Sequence, residues 1–209
     1  MTILNPKPAP PAHVPASRMR VWDLILEDLD TALQRDPAAR TRFEVAVSYP
    51  GVHALWAHRV ASAMWRKGMR IPARLLQQLT RTMTGVDIHP AACIGRRLFI
   101  DHATGVVIGE TAVVGEDCLI FHGVTLGGQR MVHGKRHPTV GNHVMIGAGA
   151  KVLGAIHIGD DAKIGANAVV VKDVPSGGIA IGVPAKLRKP KCQVSEDMND
   201  MNIDPSLFI

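Results

Sequence analysis

Two short interruptions in an otherwise regular chain hold the side chains best suited to chemistry. The first reads Asp101-His102-Ala103-Thr104-Gly105, and the second ends in Lys135-Arg136-His137-Pro138. An imidazole changes charge near neutral pH, so a histidine at either place can take a proton from a hydroxyl during group transfer. A guanidinium is shaped to meet a carboxylate, and a nearby aspartate can hold an ammonium group. His102, His137 and His143 also make a conceivable zinc set, since imidazole suits that metal.

The regularity that makes these interruptions visible is a six-residue repeat. A branched aliphatic recurs at Ile88, Ile94, Ile100, Ile108, Val114, Ile120, Leu126, Val140, Ile146, Val152, Ile158, Ile164 and Val170. The spacing is six residues except from Ile100 to Ile108 and from Leu126 to Val140, where the two inserts fall. A period of six fits neither an amphipathic helix nor simple strand alternation, and it suits a solenoid of short strands joined by tight turns. Aliphatics point inward; a small or β-branched residue such as Ala92, Ala112, Ala150 or Ala168 comes four positions later. If three hexads make a coil, positions about eighteen residues apart stack on one face. The two inserts then approach each other or a neighbouring subunit.

A solenoid needs its ends covered. Upstream of the repeat, Trp22, Ile25, Leu26, Leu29 and Leu33 make the apolar stripe of one helix, which stops before Asp36-Pro37. Asp36 as N-cap and Pro37 in the first turn predict a second helix, and Pro50-Gly51 breaks the chain again. A third helix carries Val52, Leu55, Trp56, Val60, Ala63 and Met64 on one face and ends at Gly68. A fourth, Ile71 to Met83, has Leu75, Leu76, Leu79 and Met83 apolar, and Gly85 hands the chain to the repeat. Downstream, Gly182-Val183-Pro184-Ala185-Lys186 closes the last coil. The expected organisation is a Pro-rich arm over 1–16, a helical domain over 17–85, the coil over 86–186 and a mixed-charge tail over 187–209. The fold class is α+β.

The 209 residues carry a formal net charge of +6, compatible with a phosphate-bearing ligand. Aromatics are only 4%, and the basic residues are scattered, which argues against a nucleic-acid surface. Cys93, Cys118 and Cys192 make no disulfide framework or thiolate metal motif, and Cys118 falls on a small inward position of its hexad. With no apolar run suited to a signal peptide or membrane span, a cytoplasmic protein is expected.

The hexads resemble those of the hexapeptide transferases, which implies a left-handed parallel β-helix with three hexads per coil, here a little over four coils. More specific segments are Val86-Asp87-Ile88-His89-Pro90, Asp101-His102-Ala103-Thr104-Gly105, Gly109-Glu110-Thr111-Ala112, Val124-Thr125-Leu126-Gly127-Gly128, Arg136-His137-Pro138, Met145-Ile146-Gly147-Ala148-Gly149-Ala150 and Gly182-Val183-Pro184-Ala185. Together they resemble the serine O-acetyltransferases over roughly residues 18 to 190. The resemblance implies acetyl transfer from acetyl-CoA, as co-substrate with no resident cofactor or metal, to the hydroxyl of L-serine for cysteine biosynthesis. It assigns His102 as general base and Asp87 as the carboxylate that orients it. Asp36, Asp101, Arg136 and His137 would bind the amino acid, and Gly128, Ala148 and Lys163 the coenzyme. L-cysteine is an expected feedback inhibitor. The site would lie between subunits of a homotrimer, alone or paired, and the terminal Ile209 would dock O-acetylserine sulfhydrylase. The alternatives are a different acceptor and a zinc lyase of the carbonic-anhydrase type.

Overall fold

Side-chain size and turn chemistry dictate how four helices meet the coil. A computed structural model describes residues 21–188. α1 (Val21–Arg35) turns its Leu29 and Ala32 inward. α2 (Arg42–Ser48) starts later than Asp36-Pro37 suggests. Its N-cap is Thr41, whose hydroxyl accepts the Glu44 N–H at 3.1 Å, while the Glu44 carboxylate accepts the Arg40 N–H. α3 (Pro50–Arg66) opens with proline at its first position. α4 (Arg70–Thr84) ends on Gly85, left-handed at φ 73°.

Gly51 does more than break the chain. A Cβ there would lie 2.3 Å from the Ile100 carbonyl oxygen, so only glycine lets α3 rest directly on the coil. Phe99 joins Leu29, Ala32, Val45 and Val52 in the small core beneath.

The faces of α3 and α4 differ from those predicted by their apolar spacing. α3 buries Gly51, Val52, Ala54, Leu55, His58 and Ala61, and leaves Val60 exposed. α4 is inverted: it buries Ala73, Gln77 and Thr84, while Ile71, Leu75, Leu79 and Met83 are 74%, 65%, 57% and 77% exposed. Periodicity reveals that a helix has an apolar face but not which body that face meets.

The coil runs as triplets of short strands. They are β1 (Asp87–Ile88), β2 (Cys93–Ile94), β3 (Phe99–Ile100), β4 (Val107–Ile108), β5 (Val113–Val114), β6 (Leu119–Ile120), β7 (Thr125–Gly127), β8 (Thr139–Val140), β9 (Met145–Ile146), β10 (Lys151–Leu153), β11 (His157–Ile158), β12 (Lys163–Ile164), β13 (Val169–Val170) and β14 (Ile179–Ile181). Parallel pairing stacks them into three faces, β1-β4-β7-β10-β13, β2-β5-β8-β11 and β3-β6-β9-β12-β14. Val174 bridges to Ile158 on the second face and completes a fifth coil, so the stack extends past Val170. β15 (Lys186–Arg188) folds back antiparallel on β14 and closes that end.

Register shows where the inserts act. Lys151 pairs with Val169, a step of eighteen, whereas Asp87 pairs with Val107 and Thr125 with Lys151. Each insert therefore lengthens one coil without breaking the ladder. Nearly the whole aliphatic row is buried, Ile94 only partly, and small side chains such as Ala112, Ala150 and Ala168 fill the space between. Fully burying one such aliphatic contributes about 1.5–3 kcal/mol. Cys118 packs among them, and burial pushes its thiol up to about 12. No helix among the described residues is long and apolar enough to cross a membrane.

Candidate active site

The three faces meet at three corners, and the chemistry-bearing residues divide between two of them. The corner from third to first face carries Asp101 and His102 after β3, then Phe121 and His122 after β6, then Ala148 after β9. Backbone bonds tie these turns together: Gly123 N–H donates to Thr104 O, Gly149 to His122 O and Asn167 to Ala148 O. The corner from first to second face carries His89 and Pro90, Gly109 to Ala112, and the long loop from Gly128 to Pro138.

At the first of these corners the insert bends sharply. His102 and Ala103 both take left-handed backbone at φ 54°, unusual for successive non-glycine residues. Such strain persists only where packing over-determines it, and Ala103 is fully buried. His102 stays exposed, its ring meeting that of His122 edge-on at 5.9 Å. Asp36 lies in the same region. It does not cap α2; one oxygen accepts the Ala38 N–H at 2.8 Å, and the other accepts the Tyr49 hydroxyl at 2.6 Å. Burial, Asp36 and, more weakly, Asp101 push the Tyr49 hydroxyl up to about 12, so it remains a donor. Tyr49 thus bonds Asp36 and lies within electrostatic reach of Asp101, the residue before His102, in a region where α3 rests on Ile100.

At the second corner Thr111 is the organiser. Its hydroxyl oxygen accepts the backbone N–H groups of Arg136 and His137 at 3.0 and 3.1 Å. Its own N–H lies 3.1 Å from His137 Nδ1, and its hydroxyl is 2.9 Å from the same nitrogen. Nδ1 therefore accepts, which leaves the neutral ring with its proton on Nε2, on the edge of the ring that lies against Gly109. Burial, with Arg136 and Lys135 nearby, holds His137 below the usual histidine range, against the opposing pull of Glu110. Arg136 donates to Glu110 at 2.5 Å, and that bond keeps the Glu110 carboxyl below its ordinary range. Nη2 of the Arg136 guanidinium is thus engaged by Glu110, and Nη1 donates to the Gly134 carbonyl at 3.4 Å. Gly109 makes the room: a Cβ there would fall 2.1 Å from the His137 ring.

Within one chain the predicted residues do not converge. Asp87 and His102 are not bonded to each other; Asp87 accepts from Gln77 Nε2 and lies 3.6 Å from Arg81. Asp36, Asp101 and His102 gather at one corner, Arg136 and His137 at another. The approach of the two inserts within one chain, open on spacing alone, does not occur. Gly128 belongs to the second corner, Ala148 to the first, and Lys163 to the third face between corners. His143 stands at the remaining corner near Asp117 and Asp161, so His102, His137 and His143 are on three different corners. Ile209 and Cys192 lie outside the described residues.

Four residues here were not singled out from sequence: Tyr49, Thr111, His122 and Gln77. His122 had a usable signal, since it comes two residues after Ile120 as His102 comes two after Ile100 one coil earlier.

A bacterial transferase hexapeptide model, six repeats long, matches residues 137–172. Serine acetyltransferase of Mycobacterium tuberculosis is 63% identical over 160 residues, covering 77% of this chain and 70% of that protein. The Helicobacter pylori serine acetyltransferase is 59% identical over 158 residues, covering 76% and 92%. Among solved structures, soybean serine acetyltransferase complexed with serine aligns at TM-score 0.77 and 48% identity, covering 79% of this chain and 68% of that one. A serine acetyltransferase complex with cysteine aligns at 0.78 and 40%, covering 88% and 68%. The Brucella abortus enzyme in complex with coenzyme A aligns at 0.77 and 43%, covering 79% and 66%.

Proposed function

The chain belongs to the serine acetyltransferase family, and from that premise we propose how its residues share the transfer of an acetyl group from acetyl-CoA to the hydroxyl of L-serine, giving O-acetyl-L-serine for cysteine biosynthesis. His102 takes the proton from the serine hydroxyl as its oxygen attacks the thioester carbonyl. The tetrahedral adduct then collapses, and the departing coenzyme thiolate takes the proton back from the imidazolium. Asp36 and Asp101 hold the serine ammonium, with the Tyr49 hydroxyl fixing Asp36. His137 Nε2–H and the remaining N–H groups of Arg136 meet the serine carboxylate. Gly128, Ala148 and Lys163 line the coenzyme path, and Ala148, two turns above His102, fits its inner stretch.

The observation that carries this reading is the division of ligands between two corners of one coil. A homotrimer whose left-handed coils stand side by side faces His102, Asp36 and Asp101 of one copy with Asp87, Arg136 and His137 of the next. The outward apolar face of α4 supports such an assembly, since exposed stripes of this size mark interaction surfaces. The same clamps fit L-cysteine, whose thiol replaces the hydroxyl, and this makes it a competitive feedback inhibitor. The protein works in the cytoplasm, where its Ile209 end docks the O-acetylserine sulfhydrylase. Unchanged affinity for the sulfhydrylase after removal of Ile209 rules that docking out.

Complementation tests the shared site. His102→Ala alone loses roughly 10²–10⁴ in kcat, and Arg136→Ala loses serine binding. Mixed and reassembled, about a quarter of interfaces pair an intact His102 with an intact Arg136 under random assortment in a cyclic trimer. Thiol release should return to about that fraction of wild type. No recovery places the site within one chain and overturns the reading.

A further inference from the structure

Beneath Asp87 lies a cavity of about 10 Å³ between α3, α4 and β1, lined by Ala54, Ala57, His58, Ala61, Gln77 and Val86 among others. Two polar atoms there, His58 Nδ1 and Gln77 Oε1, are buried without a hydrogen-bond partner. Both residues are only 6% exposed. An unpaired buried polar atom costs about 1–3 kcal/mol, so two such atoms at one small cavity require a common explanation. Burial, reinforced by Arg59, keeps the His58 ring neutral, and the Ala92 carbonyl holds its other nitrogen. Nδ1 is then an acceptor, as is Gln77 Oε1. One water, with two hydrogens and about one probe sphere of room, satisfies both.

We propose that a buried water donating to His58 Nδ1 and Gln77 Oε1 locks the Gln77 amide, and that Gln77 is thereby the positioning residue of Asp87. The two ends of the amide are not interchangeable here. With the water in place, Oε1 faces the cavity and the NH₂ must face the Asp87 carboxylate, to which it donates. A flipped amide would set oxygen against carboxylate and leave the water one acceptor short. Arg81 steadies the other carboxylate oxygen from the same helix, and His89 also feels the Asp87 charge. The carboxylate is thus held from below, with its outward lone pairs available to the neighbouring His102. This explains why α4 spends an inward position on glutamine. The inference rests on the reading of Asp87 as the group that orients His102.

Steady-state kinetics of four proteins test it: wild type, Asp87→Asn, Gln77→Leu and Gln77→Glu. Gln77→Leu should lower kcat by about 10- to 100-fold, the usual effect of losing a supporting hydrogen bond, with KM for serine and acetyl-CoA unchanged. Gln77→Glu, nearly the same shape, can donate only while protonated. Its kcat should fall with rising pH in a range where wild type is flat, a readout that loss of packing alone would not give. A wild-type crystal structure should show density within hydrogen-bond distance of both His58 Nδ1 and Gln77 Oε1. Normal kcat in both Gln77 variants with a damaged Asp87→Asn overturns the positioning role alone. A harmless Asp87→Asn overturns the reading beneath it, and a dry cavity overturns the water.

Discussion

Acidification should strike this protein first through His58. Burial, with the nearby positive charge of Arg59, pushes its ring down from 6.5 to about 4. An unfolded chain protonates that histidine below about 6.5, whereas the folded chain resists until about 4. Between those values the unfolded state binds close to one more proton, so stability rises with pH at up to about 1.4 kcal/mol per unit. The contribution is fully present above pH 6.5 and is lost as pH falls toward 4, by about 3 kcal/mol in all. His89 and His137 are also depressed and add the same sign, while the carboxyls of Glu27, Glu110 and Asp117, held low by arginines, act only at lower pH. The comparison is therefore His58→Gln, which keeps a polar group at the cavity but does not titrate. Urea unfolding from pH 7.5 to 4.5, at one fixed protein concentration because assembly couples to stability, should show wild type losing about 2–3 kcal/mol more than the variant. Parallel curves would refute the placement of a neutral imidazole in this core.

Three further substitutions probe how the site is held. Gly109→Ala puts a Cβ 2.1 Å from the His137 ring, so that ring must swing out; the KM for serine should rise at least about tenfold with little change in melting temperature, since a displaced ligand group loses its contact energy. Tyr49→Phe removes the donor to Asp36 and should raise the KM for serine several-fold, by about 1 kcal/mol, while leaving acetyl-CoA binding alone in equilibrium titration. Gly51→Ala drives a methyl into the Ile100 carbonyl oxygen at 2.3 Å, lifting α3 from the coil. It should cost about 1–3 kcal/mol of stability in thermal melts and also weaken serine binding, because Tyr49 and Asp36 move with α3.

How much of this was legible in the sequence depends on how tightly each residue is constrained. In a coil every aliphatic is stacked on its counterparts in the coils above and below, so Ile146, Val152 and Ile158 announce themselves by spacing and all reach full burial. A helix face carries no such information about its partner: Leu75, Leu79 and Met83 read as a stripe yet face away from their own chain. Gln77 was invisible for the opposite reason, being a polar residue on the face that turns inward. Asp36-Pro37 read as the start of a helix, but Thr41, five residues after Asp36, caps α2 together with Glu44 and frees Asp36 for Tyr49.

The inserts connect these levels. A residue added to one coil cannot be absorbed by the ladder, because the pairs above and below fix where the strand must resume. Extra length therefore has to leave the coil at a corner, which is where a neighbouring copy can reach it. At the first insert the cost is visible in the consecutive left-handed backbones of His102 and Ala103, with Ala103 pinned inside the coil so that His102 projects outward. At the second, the longer loop is drawn back by Thr111, which returns Arg136 and His137 to the corner with the imidazole already in its donor tautomer. Strain in one insert and a hydrogen-bonded anchor in the other thus do the same work. Each converts a break in the repeat into a side chain held at a fixed point on an edge, which is what the proposed site shared between two copies requires.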